Sequence, residues 1–250
     1  MKTKIFAHRG ASAYAPENTL TAFSLAVTQG ADGLELDVHL TRDEELVVIH
    51  DSALVRTTGQ SGRVEELTLA ELRTISFGYP AKFEDKFAGT PIPTLAQVYE
   101  LIRPTTLSIN VELKEVTRDR AHVYIRKLCE LAKTYQMEDR VFYSSFDHLA
   151  LRDLLAFKPD AKVAPLYSET MLDAWDYAAR LHADGIHPSY KQLFVFSDYL
   201  QRCHDLDISV RVWTVDDPDT IRALLAMGVD AIITNTPDVA LAIRDQSPTI

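Results

Sequence analysis

The chain has 250 residues, 46% of them hydrophobic and 25% charged, with a formal net charge of −10. That profile suits a folded globular enzyme of the length of one α/β barrel and excludes a largely disordered chain. The acidic balance argues against nucleic acid as partner, because phosphate-backbone binding needs a basic face.

No apolar run approaches the roughly 18 to 20 residues of an integral membrane segment. The N-terminus, Met1 to Phe6, passes into a strand pattern without the apolar stretch of a signal peptide. A cytoplasmic location is expected, and a homodimer is left open. Cys129 and Cys203 fall singly in helical patterns, without metal-ligand spacing, and are expected as buried free thiols.

Along the chain, short apolar runs alternate with helical patterns, the signature of parallel strands joined by helices. Strands are predicted over residues 5–9, 33–40, 46–50, 107–114, 141–145, 162–166, 184–187, 208–215 and 229–234. Only Thr41 to Glu45 separate the second run from the third, whereas a parallel crossover needs about a dozen residues. The third run must therefore return antiparallel, as a hairpin arm. Eight parallel strands remain, and with helices over 19–29, 95–102, 119–135, 148–157, 171–181, 197–206, 218–226 and 237–244 they make a (β/α)8 TIM barrel. Thr19 is the expected N-cap of the first helix. The whole chain, 1–250, reads as one domain, with residues 51–103 an excursion at the barrel mouth that includes a short helix near Leu69. A loop of that length is usually functional or disordered. Its aromatic residues Phe77, Tyr79, Phe83 and Phe87 are read mainly as packing.

Chemistry is concentrated at strand ends. Glu35 and Asp37 lie two residues apart on one strand and so share a face. Two neighbouring carboxylates repel unless a cation sits between them, which predicts a bound cation here. The run Leu107 to Lys114 repeats the alternation, with Ser108, Asn110, Glu112 and Lys114 polar. In a barrel that face points inward, and Glu112 and Lys114 fall at the C-terminal end, where barrel enzymes place their active sites. A Glu112–Lys114 salt bridge is the structural alternative. His8 ends the first strand, and hairpin pairing sets His50 opposite about Leu36, near the carboxylates. Two histidines beside such a cluster can divide general-base and general-acid duties. Phe146, directly after its strand, is read as shaping the pocket. His187 ends a strand on the same rim, and His39 shares the face of Glu35 and Asp37 near the turn. His122, His148, His182 and His204 fall in helical patterns and are read as packing or surface residues.

His8-Arg9-Gly10-Ala11, Pro16-Glu17-Asn18-Thr19, Glu35-Leu36-Asp37-Val38 and His50-Asp51 together resemble the signature of the glycerophosphodiester phosphodiesterase family. Val111 to Lys114, Ser145 to Asp147, Val212 to Val215 and Gly228 to Thr234 continue the resemblance over nearly the whole chain. It implies hydrolysis of a small-molecule glycerophosphodiester to an alcohol and sn-glycerol 3-phosphate, by way of a cyclic phosphate. It also implies one divalent cation, Mg2+ or Ca2+, on Glu35, Asp37 and Glu112, a carboxylate set suited to hard cations. His8 and His50 would be the acid–base pair, Arg9 and Lys114 would hold the phosphodiester oxygens, and Trp213 would wall the pocket near the alcohol. With the cation and the substrate monoanion counted, the charges of this set sum to zero, which reconciles an acidic chain with an anionic substrate. The alternative substrates are lysophospholipids or other phosphodiesters at the same site. A noncatalytic phosphodiester-binding barrel would have lost one of these residues.

Two departures from the family pattern stand out. Glu44 occupies a turn position where glycine is frequent, so the turn is expected to take a shape that tolerates a side chain. Asn235 stands where aspartate is frequent, which would weaken any supporting role there.

Overall fold

The structure, a computed structural model, describes residues 2–246; Met1 and residues 247–250, the ends of the expected 1–250 unit, lie outside the described residues. The strands are β1 (Lys4–His8), β2 (Gly33–Leu40), β3 (Leu46–Val48), β4 (Ser108–Leu113), β5 (Val141–Ser145), β6 (Val163–Tyr167), β7 (Gly185–Pro188), β8 (Ser209–Val212) and β9 (Ala231–Thr234). All pairings except that of β3 are parallel, and β1 pairs with both β2 and β9, which closes a ring of eight. The first half of β2 pairs with β1. Beyond the end of β1, β3 takes up the second half in antiparallel register, Val38 opposite Val48 and Leu40 opposite Leu46. The hydrogen bond from Ile49 N to Asp37 O, 3.0 Å, carries that register one residue further. His50 therefore falls opposite Leu36, as the hairpin reading requires.

The barrel helices are α1 (Leu20–Gln29), α2 (Leu95–Ile102), α3 (Arg118–Thr134), α4 (His148–Phe157), α5 (Ala174–Leu181), α6 (Tyr199–His204), α7 (Pro218–Met227) and α8 (Pro237–Gln246). Thr19 caps α1 by accepting from Ala22 N at 3.2 Å. The helix expected from residue 171 starts only at Ala174, because Asp173 is left-handed (φ 50°) and cannot continue a helix. Leu34, Leu36, Val38 and Leu40 bury one face of β2 in the layer shared with the helices. Glu35, Asp37 and His39 are thereby turned to the interior. Cys129 and Cys203 are buried free thiols.

Inside the barrel, Phe6, Phe142, Ala231 and Ile233 form a small apolar layer, with Phe6 and Phe142 edge to face at 5.5 Å. His187 packs on Phe142 at 5.8 Å, fully buried, 3.5 Å from both Asn110 Nδ2 and Arg211. Burial, reinforced by Arg211, pushes its pKa well below the ordinary 6.5. Below about pH 6.5 the unfolded chain takes up a proton that the folded chain refuses, so stability falls as pH falls. In His187→Gln the loss of unfolding free energy between pH 7 and pH 5 is expected to be smaller by about 1–2 kcal/mol. Denaturant titrations at the two pH values measure it, and equal losses in the two proteins would refute it.

Between β3 and α2 the excursion holds single helical turns at Val55–Thr58, Leu69–Leu72 and Pro80–Phe83. Leu54, Val64, Leu72, Phe77 and Ile92 form its own apolar cluster on Val47 and Ile49 of the hairpin arm. Tyr79, Phe83 and Phe87 follow one another edge to face. The helix after it, α2, packs against α1.

The hairpin turn does not take the side-chain-tolerant shape expected of it. Glu44 keeps φ 62°, the conformation that favours glycine. Thr41 enforces it: its backbone bonds Glu44 N and Glu45 O, and its hydroxyl accepts from Glu45 N at 2.8 Å. Glu44→Gly is expected to stabilise the protein by up to about 1 kcal/mol, read as a raised denaturation midpoint; a lowered midpoint would contradict it.

Candidate active site

Parallel register sets the site. His8 lies level with Glu35, Glu35 with Asn110, and Asp37 with Glu112, at the C-terminal ends of β1, β2 and β4. One carboxylate oxygen each from Glu35, Asp37 and Glu112 lie within 4.8 Å of one another, and all three residues are buried. Asp37, fully buried, accepts from Asn18 Nδ2 at 2.7 Å and lies 3.3 Å from Arg9 Nε. Lys114 Nζ is hydrogen-bonded to Glu112 and lies 2.8 Å from Asp37 Oδ1, but off the direction of a hydrogen bond. The salt bridge weighed from the sequence and the carboxylate cluster are thus both present.

Burial raises the pKa of Glu35, with the Asp37 and Glu112 carboxylates adding to it. Glu112 is pushed up to about 7 by burial and by Asp37. Burial acts on Asp37 in the same sense, but Lys114 and Arg9 outweigh it and hold this carboxyl well below its usual range. With protein charges alone, the cluster is short of positive charge. That deficit and the hard oxygen donors fit a divalent cation.

The two histidines face the cluster with their outer nitrogens held. His8 Nε2 is 3.9 Å from Glu35 Oε2, and Nδ1 is 2.7 Å from Asn235 Oδ1. Both nitrogens of Asn235 donate to Asp216, at 2.6 and 2.7 Å, which turns the amide oxygen to His8. Nδ1 of His8 is therefore the protonated nitrogen. The contact behind His8 at this position is made by a neutral amide rather than by the carboxylate frequent in the family. Burial pushes His8 down to about 4, Arg9 adding to the effect. His50 Nδ1 meets Asp51 Oδ1 at 2.6 Å, and the His50 carbonyl is held by His39 Nε2 at 3.0 Å. His39 thus supports His50 through the backbone.

Arg9 is left-handed (φ 57°), fixed by hydrogen bonds from its N–H to the Glu35 carbonyl (2.9 Å) and carboxylate (3.0 Å). Gly10 follows at φ 82°, where a Cβ would come within 2.6 Å of the Ala22 backbone. The Arg9 guanidinium bonds Glu17 at 2.9 Å, so both expected phosphate-holding cations carry carboxylate partners. An inner cavity of about 230 Å³ is lined by His8, Arg9, Glu35, His50, Glu112, Phe146 and Trp213, among others. It shares His50, Glu112 and Phe146 with an outer cavity of about 860 Å³ that reaches Arg63, Glu65 and Arg120. Phe146 is half exposed and meets Trp213 edge on at 5.4 Å, while Trp213 Nε1 donates to His187 O at 2.7 Å. His187 does not line the inner cavity. His148 bonds Tyr177 and the Leu166 carbonyl, and His204 bonds Asp230, as packing or surface residues should.

Sequence reading assigned no role to Glu17, Asn18, Asp51 or Arg56. The first three stand inside the recognised motifs, which was signal enough to single them out. Arg56 sits on one turn of the excursion, and no local pattern marks it.

A closed parallel barrel with a carboxylate trio and two backed imidazoles at its mouth is the frame of a hydrolase acting on an anionic ester. The profile of the Glycerophosphoryl diester phosphodiesterase family matches residues 8–239. A glycerophosphodiester phosphodiesterase of Caldanaerobacter subterraneus subsp. tengcongensis is 39% identical over 241 residues, 96% of this chain and 97% of that protein. One from Bacillus altitudinis is 37% identical over 245 residues, 98% and 99% of the two chains. Among solved structures, an Oleispira antarctica phosphodiesterase in complex with the product sn-glycerol-3-phosphate superposes with a TM-score of 0.89 at 28% identity, covering 98% of each chain. The chain belongs to the glycerophosphodiester phosphodiesterase family and is an enzyme of that class. Among the described residues, no helix is long and apolar enough to cross a membrane.

Proposed function

We propose that the protein hydrolyses glycerophosphodiesters to an alcohol and sn-glycerol 3-phosphate with one divalent cation, Mg2+ or Ca2+, held by Glu35, Asp37 and Glu112. The observation that carries the reading is the convergence of three buried carboxylate oxygens within 4.8 Å, between two histidines that line one cavity. A cation there supplies Lewis-acid polarisation of the phosphoryl oxygens. His8, backed by a neutral amide and disfavoured as a cation by burial and by Arg9, suits acceptance of the proton from the attacking oxygen. Burial lowers the pKa of His50, but Asp37 and the Asp51 carboxylate behind it work against that shift, and His50 is assigned delivery of a proton to the departing alkoxide. Arg9 and Lys114 orient the phosphodiester. Phe146 stands between the inner cavity, sized for glycerol phosphate, and the outer one, open to the alcohol, while Trp213 walls the inner one. In this reading one barrel domain carries the site and the excursion is its insertion.

The test is a panel of glycerophosphodiesters and lysophospholipids, assayed for glycerol 3-phosphate release with each metal added back. Release from glycerophosphocholine or glycerophosphoethanolamine is expected. Turnover of lysophospholipids alone would replace this substrate class with the alternative one.

A further inference from the structure

Charged side chains from three segments form one continuous chain of contacts along the rim of the site. Arg56, in the first helical turn of the excursion, donates to both Glu17 oxygens at 2.8 and 2.9 Å and from Nε to Asp51 Oδ2 at 2.5 Å. Glu17 accepts at the same time from Arg9 at 2.9 Å. Asp51 turns its other oxygen to His50 Nδ1 at 2.6 Å. One guanidinium therefore stands between the two carboxylates that back Arg9 and His50. Its plane is fixed further by Tyr79, whose ring centroid is 5.5 Å away and whose hydroxyl accepts at 3.4 Å.

The two ends of this chain of contacts are not equally dependent on Arg56. Arg9 keeps Asp37 at 3.3 Å and the Glu35 backbone besides Glu17. Asp51, about one-third exposed, has only His50 and Arg56 as side-chain partners among the described residues. A partly exposed carboxylate with a single side-chain partner rotates among rotamers and water, and a forked guanidinium stops that rotation. The carboxylate behind an imidazole sets both its tautomer and its ring angle.

We propose that Arg56 is a positioning residue for the reaction: it pins Asp51 against His50, and so makes the excursion part of the catalytic apparatus. This rests on the proposed role of His50. The link to Arg9, through Glu17, is redundant because Arg9 keeps its other partners, so the effect falls on kcat and spares KM.

Steady-state kinetics of the full chain loaded with Mg2+ or Ca2+ test it, on glycerophosphocholine or whichever diester is turned over. Arg56→Met is expected to lower kcat about 10- to 100-fold, with KM within about threefold of the parent. Asp51→Asn lowers kcat likewise, and combining the two adds little, because both act through one contact. Arg56→Lys keeps the charge, and with it the fold, but lacks the fork to grip two carboxylates, so its kcat falls in the same direction. Parental kcat in Arg56→Met or Arg56→Lys overturns the proposal, as does a fully multiplicative loss in the double variant. His50→Ala is measured beside them. If it turns over normally, the role of His50 falls and this proposal with it. If it is impaired while the Arg56 variants are not, His50 stands and Arg56 alone is dismissed.

Discussion

Stripped of divalent cations by exhaustive chelation, the protein is expected to release glycerol 3-phosphate about a thousandfold more slowly, and to recover when Mg2+ or Ca2+ is returned. The size follows from a Lewis acid that contributes several kcal/mol at the transition state, where each 1.36 kcal/mol is about tenfold. The expectation rests on the charges of the site. Without a cation, burial and mutual repulsion drive Glu35 and Glu112 toward protonation, and Lys114 and Arg9 are committed to Asp37 and its neighbours. No unpaired positive charge is left in this cluster to meet a phosphodiester. Undiminished turnover after chelation, with the metal shown absent by elemental analysis, would remove the cation from the mechanism.

His8→Ala and His50→Ala are each expected to lower kcat by about 10² to 10⁴-fold, the range for a positioned proton-transfer group. The two losses should not multiply in the double variant, because proton removal and proton delivery serve one displacement. The variants should still bind metal, since neither side chain belongs to the carboxylate trio. A variant with near-parental turnover and normal metal uptake would take that histidine out of the chemistry.

The parts of the site legible in the sequence are those governed by local periodicity. The two-residue period of β2 placed Glu35 and Asp37 on one face, and the brevity of residues 41–45 forced the antiparallel arm that brings His50 back to them. Closure followed from counting the strands that remained. What was not legible depends on contacts between distant segments. Asn18 reaches Asp37 only because the β1–α1 loop folds over the rim, and Arg56 reaches Glu17 across 39 positions of sequence. The turn at Glu44 was misjudged for a related reason. Its conformation is dictated by hydrogen bonds to Thr41 rather than by the preference of the residue that occupies it.

The pairing of β1 with β9 has a consequence for how the enzyme comes into being. The imidazole at residue 8 is aimed by an amide at residue 235, on the turn just past β9. Synthesis must therefore pass residue 235 before the imidazole of residue 8 can be given its orientation. Chains that stop short of β9 would hold the acidic trio yet leave residue 8 without that amide.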